Sequence, residues 1–156
     1  MKTLRLILAS LLLPLATVDA NVVRPAPDFV VAGGKTLRSL RGQPVVLLVA
    51  PSPRSKAFRS QVKRLEKDYR RFAAQNAVFV AAFTESSEEL RTNIPFAVAS
   101  NGAAVAARYG LTGPFHLLVI GRDGNIDLLT SKVSGSYAVR DAILNNYTMQ
   151  AASRRL

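Results

Sequence analysis

The chain of 156 residues contains no cysteine. That absence excludes a thiolate nucleophile, a CxxC redox pair and any disulfide, so stability has to come from packing. Histidine occurs once, at His116, and no His/Asp/Glu grouping has metal-ligand spacing. An HExxH pattern and a glycine-rich phosphate loop are also missing; Gly33-Gly34 reads as a turn. No metal or cofactor is therefore expected. Acids are scarce, 10 against 21 lysines and arginines, giving a net charge of +11. Internal repeats and low-complexity tracts are absent.

What is present starts with an export signal. Lys2 and Arg5 form a positive n-region, Leu6 to Val18 is almost wholly apolar, and Val18-Asp19-Ala20 offers small residues for cleavage after Ala20. A transmembrane anchor would need about 20 apolar residues. This run is shorter, and Pro14 and Asp19 interrupt it. Without a cysteine at the junction, lipoprotein anchoring is excluded. Residues 1–20 are read as a signal peptide, and the mature chain as secreted or periplasmic with no transmembrane helix. Residues 21–156 suit a single domain with a real core. All but one unit of the net charge stays in that part. Such a domain is drawn to anionic lipid head groups, polysaccharide or stray nucleic acid, unless the charge serves solubility alone. Asn146-Tyr147-Thr148 is a glycosylation sequon only in a host that glycosylates.

Along the mature chain, residues 26–31 predict a short strand ending at Gly33-Gly34, and residues 36–42 one helical turn closed by glycine. The apolar runs PVVLLVA (44–50) and AVFVAAF (77–83) predict strands buried on both faces. Between them, Ser55 to about Gln75 predicts one amphipathic helix with Ser55 as N-cap. Residues 86–91 predict a short helix start, and 94–99 an extended stretch. A small Ala-rich helix follows from Gly102 to Tyr109, then a strand at 117–120, an Asp123-Gly124 hairpin, a return strand at 126–129 and a last helix over 134–147. A crossover helix between two buried strands implies parallel pairing, and the hairpin adds antiparallel strands. The expected fold is α/β: a mixed central sheet with helices on both faces.

Three stretches, in this order and spacing, carry a family resemblance. Ala26-Pro27-Asp28-Phe29 is followed by Gly34-Lys35-Thr36-Leu37 and then Leu40 to Leu47. Ile94-Pro95-Phe96 leads to Ala106-Ala107-Arg108-Tyr109-Gly110-Leu111, and Leu118 to Ile126 contains the hairpin. Together they resemble the peroxiredoxin (alkyl hydroperoxide reductase/thiol-specific antioxidant) and redoxin group over essentially the whole mature domain. The resemblance implies a thioredoxin-like three-layer sandwich over residues 21–147, leaving 148–156 as a flexible basic tail. It does not bring the chemistry with it. In the peroxiredoxin motif Pro, three residues, Thr or Ser, two residues, Cys, the first two places are Pro51 and Ser55 and the thiol place is Phe58. Aligned on a thioredoxin CxxC, the two thiol places are Arg54 and Ala57. The late peroxiredoxin arginine falls near Phe115, and Pro114 lies within one residue of the thioredoxin cis-proline. Leu48-Val49-Ala50-Pro51-Ser52 and Ile120-Gly121-Arg122-Asp123-Gly124 further resemble short secreted thioredoxin-like proteins, a likeness that implies no established activity.

Thiol peroxidase and disulfide oxidoreductase activities are thus excluded by composition. Phe58 shares its helical angle with Val62, Leu65 and Tyr69 and is expected in the core. Lys56, Arg59, Lys63, Arg64, Lys67, Arg70 and Arg71 gather on the opposite side, and from Arg54 to Arg71 eight bases meet only Glu66 and Asp68. The expected function is a redox-inactive binding or accessory protein. It would present this helix to an anionic partner: lipid head groups, polysaccharide or an acidic protein. Sequence-specific nucleic-acid binding is not expected, because no aromatic is interleaved on the basic face. The alternative is a thiol-independent enzyme using Ser52, Ser55 or His116, although no acid is placed by sequence to orient the histidine.

Overall fold

The two long apolar runs become the middle of the sheet. The computed structural model describes residues 24–85 and 88–153, with side chains in the last helix described to residue 145. After a 3-10 turn at Leu37–Leu40, the elements are β1 (Val45–Ala50), α1 (Lys56–Lys67), α2 (Tyr69–Ala74), β2 (Val78–Phe83), β3 (Ala97–Val98), α3 (Gly102–Arg108), β4 (His116–Ile120), β5 (Ile126–Thr130) and α4 (Ser136–Ser153). Strand order is β3-β2-β1-β4-β5. β1 and β2 pair in parallel, as the crossover predicts, and so do β2 and β3. β4 runs antiparallel to β1, and the Asp-Gly hairpin returns β5 along β4. Gly124 takes the positive φ of 83° which that turn requires.

Alternation along the strands sends side chains into two cores. Val46, Leu48 and Ala50 of β1 face α1, α2 and α4 together with Phe79, Ala81, Leu117 and Val119. Val45, Leu47 and Val49 face α3 and the N-terminal segment with Val80, Ala82, Leu118 and Ile120. Every residue of β1 and β4 is buried, since helices or loops cover both faces. This is the thioredoxin-like three-layer α/β sandwich expected from the sequence.

Four local expectations change. Residues 26–31 form no strand; Val30 and Val31 make isolated bridges to Thr36 and Ala99. The Asp28 carboxylate there accepts the backbone N–H groups of Phe29 and Arg38, offering the backbone a turn instead of a ladder. The long helix divides at Asp68, whose backbone leaves the helical region (φ −115°, ψ 16°). Its carboxylate accepts a hydrogen bond from Ser136 Oγ at the start of α4 and pairs with Arg71, so side-chain contacts hold it out of line. Residues 88–91 are irregular rather than helical, with Glu88 and Glu89 engaged by Arg54 and Arg91. Finally, α4 begins at Ser136 and continues past Tyr147 to Ser153, because residues 148–152 contain no helix breaker. The predicted leader 1–20, its cleavage point, Ser86, Ser87 and the last three residues lie outside the described residues.

Gln61 ties together two helical elements of one layer. It is fully buried on α1, where Nε2 donates to the Ser134 carbonyl (3.0 Å) and Oε1 accepts the Ser134 N–H (2.8 Å). Both halves of the amide are satisfied by the loop before α4, which removes the penalty of burying it. On the other face, Gly102 lets α3 close onto β2: a Cβ there would stand 2.1 Å from the Phe83 carbonyl oxygen and 2.4 Å from its nitrogen. Neither atom belongs to a flexible side chain. Gly102→Ala should therefore cost about 2–3 kcal/mol or more, read as a lower urea midpoint. A midpoint equal to wild type would show that α3 does not approach β2 this closely.

Candidate functional site

The motif spacing of the sequence puts the candidate site at the sheet end where β1 and β2 finish and β4 begins. The ladder extends one step into the loop there: Thr84 and Glu85 donate their N–H groups to the Ala50 and Pro51 carbonyls, both at 3.0 Å. Pro51 ends β1, and a tight turn carries the chain into α1. Ser55 holds the N-cap position but makes no capping hydrogen bond with its side chain. Its Oγ instead accepts the Ser52 N–H (3.2 Å), while Ser52 Oγ accepts the Arg54 N–H (3.2 Å). Both hydroxyls therefore serve the turn, and Ser55 as a side-chain cap is corrected on this geometry.

Phe58 closes the site from within. It is 1% exposed and its ring lies edge-on to Phe83, with centroids 5.1 Å apart, and tilted against Phe96 at 6.0 Å. Phe96 in turn packs on Phe79, which contacts Phe72 and Tyr69, so one run of rings fills the space between α1, α2 and β2. Of the other two thiol places, Ala57 packs half-buried against this core and Arg54 is exposed, paired with Glu88 at 2.9 Å. Phe115, in the place of the late arginine, is buried in the same cluster. Pro114 is exposed, and the described residues contain no cis peptide bond.

His116 is not assembled with the serines. It pairs with Val49 across β1 and β4, so it belongs to the sheet face that carries Val49, Leu118 and α3. The α1 helix that follows Ser55 packs on the opposite face through Phe58 and Val62. Burial, not a charged neighbour, lowers the His116 pKa below its ordinary value. No hydrogen-bonded carboxylate orients the ring among the described residues. Tyr109 is another buried group with a displaced pKa. Desolvation and then the Asp28 charge push it up, and its hydroxyl donates to the Pro27 carbonyl (2.8 Å), which holds the N-terminal segment.

The basic side chains stand where helix periodicity puts them. Lys56, Arg59, Lys63, Arg64, Lys67, Arg70 and Arg71 are all exposed. The division at Asp68 places the last two on α2, and among the described residues Arg71 alone of the seven has an ion pair, with Asp68 at 3.8 Å. Beside them lies a feature that the sequence left unmarked. An open groove of about 1000 Å³ runs between α1 and residues 88–93, with Phe58, Val62 and Leu90 in its floor. Its second wall is an irregular loop distant in sequence, so no periodicity announces it. Gln61 was also missed; its only trace is a polar residue at the flank of an otherwise apolar helix stripe.

Residues 22–128 match the AhpC/TSA family. The chain belongs to that family. No match is found among curated proteins. Among solved structures, this AhpC/TSA member is similar to thioredoxin peroxidase I of Plasmodium yoelii, at 16% identity and a TM-score of 0.65 over 85% of this chain and 92% of that one. The thioredoxin domain of a thiol-disulfide oxidoreductase from Bacteroides vulgatus is similar at 17% and 0.56, over 76% and 91% of the two chains. A peroxidoxin from Mycobacterium tuberculosis is similar at 16% and 0.57, over 77% and 92%. At such identities these likenesses establish the fold. The family's scaffold is thus present without cysteine, and Phe58, which the motif spacing of the sequence sets at the thiol place, is a core aromatic.

Because burial favours the neutral form of His116, the unfolded chain binds more protons as pH falls below the ordinary histidine value of about 6.5. Stability should then decrease on acidification through that value and level off below the folded pKa. Urea midpoints at pH 7.5 and pH 5.5 should differ less in His116→Gln than in wild type. An equal difference would mean that His116 is not desolvated.

Proposed function

We propose that this AhpC/TSA family member is an exported, redox-inactive binding protein that offers the outer face of α1 and α2 to an anionic partner. The supporting observation is electrostatic: Lys56, Arg59, Lys63, Arg64, Lys67 and Arg70 are exposed and have no ion pair among the described residues. Arg59, Lys63 and Lys67 follow one another at i,i+4 spacing, which costs a few tenths of a kcal/mol per like-charge pair. A helix needed only for packing gains nothing from such repulsion. An anionic ligand would relieve it. Export rests on the leader-like N-terminus read from the sequence. The competing reading, a thiol-independent enzyme using Ser52, Ser55 or His116, has less support because the sheet separates His116 from α1 and the two serine hydroxyls are held by the backbone.

Purified protein should be retained on heparin or on vesicles rich in phosphatidylglycerol, with retention falling as salt rises and the Debye length shrinks from about 10 Å at 0.1 M. Substituting Lys63, Lys67 and Arg70 together by glutamine should release the protein at clearly lower salt, and neither wild type nor variant should reduce peroxide. Equal retention of the triple variant would make the stripe plain solvated surface.

A further inference from the structure

The groove beside α1 narrows the kind of partner, on the footing of the reading just proposed. Its floor is apolar, from Phe58, Val62 and Leu90, while its α1 lip carries Arg59 and Lys63. The acids on the facing lip are already engaged: Glu88 with Arg54 at 2.9 Å and Glu89 with Arg91 at 3.1 Å. Glu66, at the far end, accepts the Asn93 N–H (3.3 Å). The cations left without an ion pair at the groove are therefore Arg59 and Lys63, one helical turn apart. In addition, the backbone N–H and C=O groups of Glu89, Leu90 and Arg91 make no hydrogen bond to the rest of the described chain.

We infer that this groove seats an extended acidic segment of a partner protein. From Phe58 to Glu66 the α1 wall is about 12 Å long at 1.5 Å per residue. That is the span of about four extended residues at 3.3–3.6 Å each. Alternation in an extended segment sends apolar side chains to the floor at Phe58, Val62 and Leu90 and leaves carboxylates in reach of Arg59 and Lys63. The unpaired backbone of residues 89–91 supplies main-chain partners along the other wall, as an exposed strand edge does. A flat lipid surface or a sulfated polysaccharide would use the charge of α1 but neither the apolar floor nor this backbone.

The test is fluorescence anisotropy with a labelled eight-residue peptide alternating glutamate and leucine, and a second peptide with serine for every leucine. The glutamate–leucine peptide should bind about tenfold more tightly. Leu90→Ser should remove that advantage, and Arg59→Gln with Lys63→Gln should weaken both peptides. Lys35→Gln with Lys132→Gln, exposed and outside both the groove and the basic face, should change binding less than about threefold. A thermal melt on each variant checks that it is folded. Equal binding of the two peptides, or no effect of Leu90→Ser, would overturn the groove as the seat while leaving the basic helix as a binding face. Retention on heparin or vesicles without binding of either peptide would overturn a protein partner in favour of polysaccharide or lipid. Loss of all retention would overturn the proposed function itself.

Discussion

The edge-on contact of Phe58 with Phe83, 5.1 Å between ring centres, does several things at once. It seats the first turns of α1 on the end of β2, and through Phe96 it joins the run of rings that continues to Phe79 and Phe72. It also sets the rotation of α1. With Phe58, Val62 and Leu65 turned inward, the helical period of 3.6 residues forces Lys56, Arg59, Lys63 and Lys67 outward. By the motif spacing of the sequence, the same side chain takes the place of the AhpC/TSA sulfur. Filling the site and exposing the basic face are therefore two results of one packing choice.

A nucleophile of another kind has little room in this arrangement. Ser52 and Ser55 retain the hydroxyls of the loop, but each accepts a backbone N–H and so helps to shape the turn. His116 is close in the strand ladder yet lies on the other face of the sheet. Chemistry by general base needs donor and acceptor within hydrogen-bond reach, and here the sheet itself stands between them. The groove along α1 combines an apolar floor with a cationic lip, the mixture on which the proposed recognition rests.

Elements whose identity depends on local pattern were legible in the sequence. The apolar runs gave β1 and β2, the Asp-Gly pair gave the β4–β5 turn, and Phe58 was assigned to the core from its helical angle alone. Features set by distant partners were not. The break at Asp68 arises from a serine 68 residues later, and Gln61 is satisfied by Ser134, 73 residues away. The N-terminal stretch resembles a strand in composition, but it finds only single-residue bridges at the margin of the sheet. The groove was hidden for the same reason: one wall is an amphipathic helix, and the other is a loop with no periodicity of its own.

The central claim is that the thiol place has become core, and Phe58→Cys tests it most directly. A cysteine buried among Phe83, Phe96 and Val62 would have its pKa raised by the apolar surroundings. Its thiol should label slowly with a disulfide reagent in the native protein and fast in urea, and the variant should reduce no peroxide. The stability loss should be large, about 3–5 kcal/mol if the cavity fails to collapse. Rapid native labelling together with peroxide reduction would contradict the account, because it would mean that the site is still open and lacks only its sulfur.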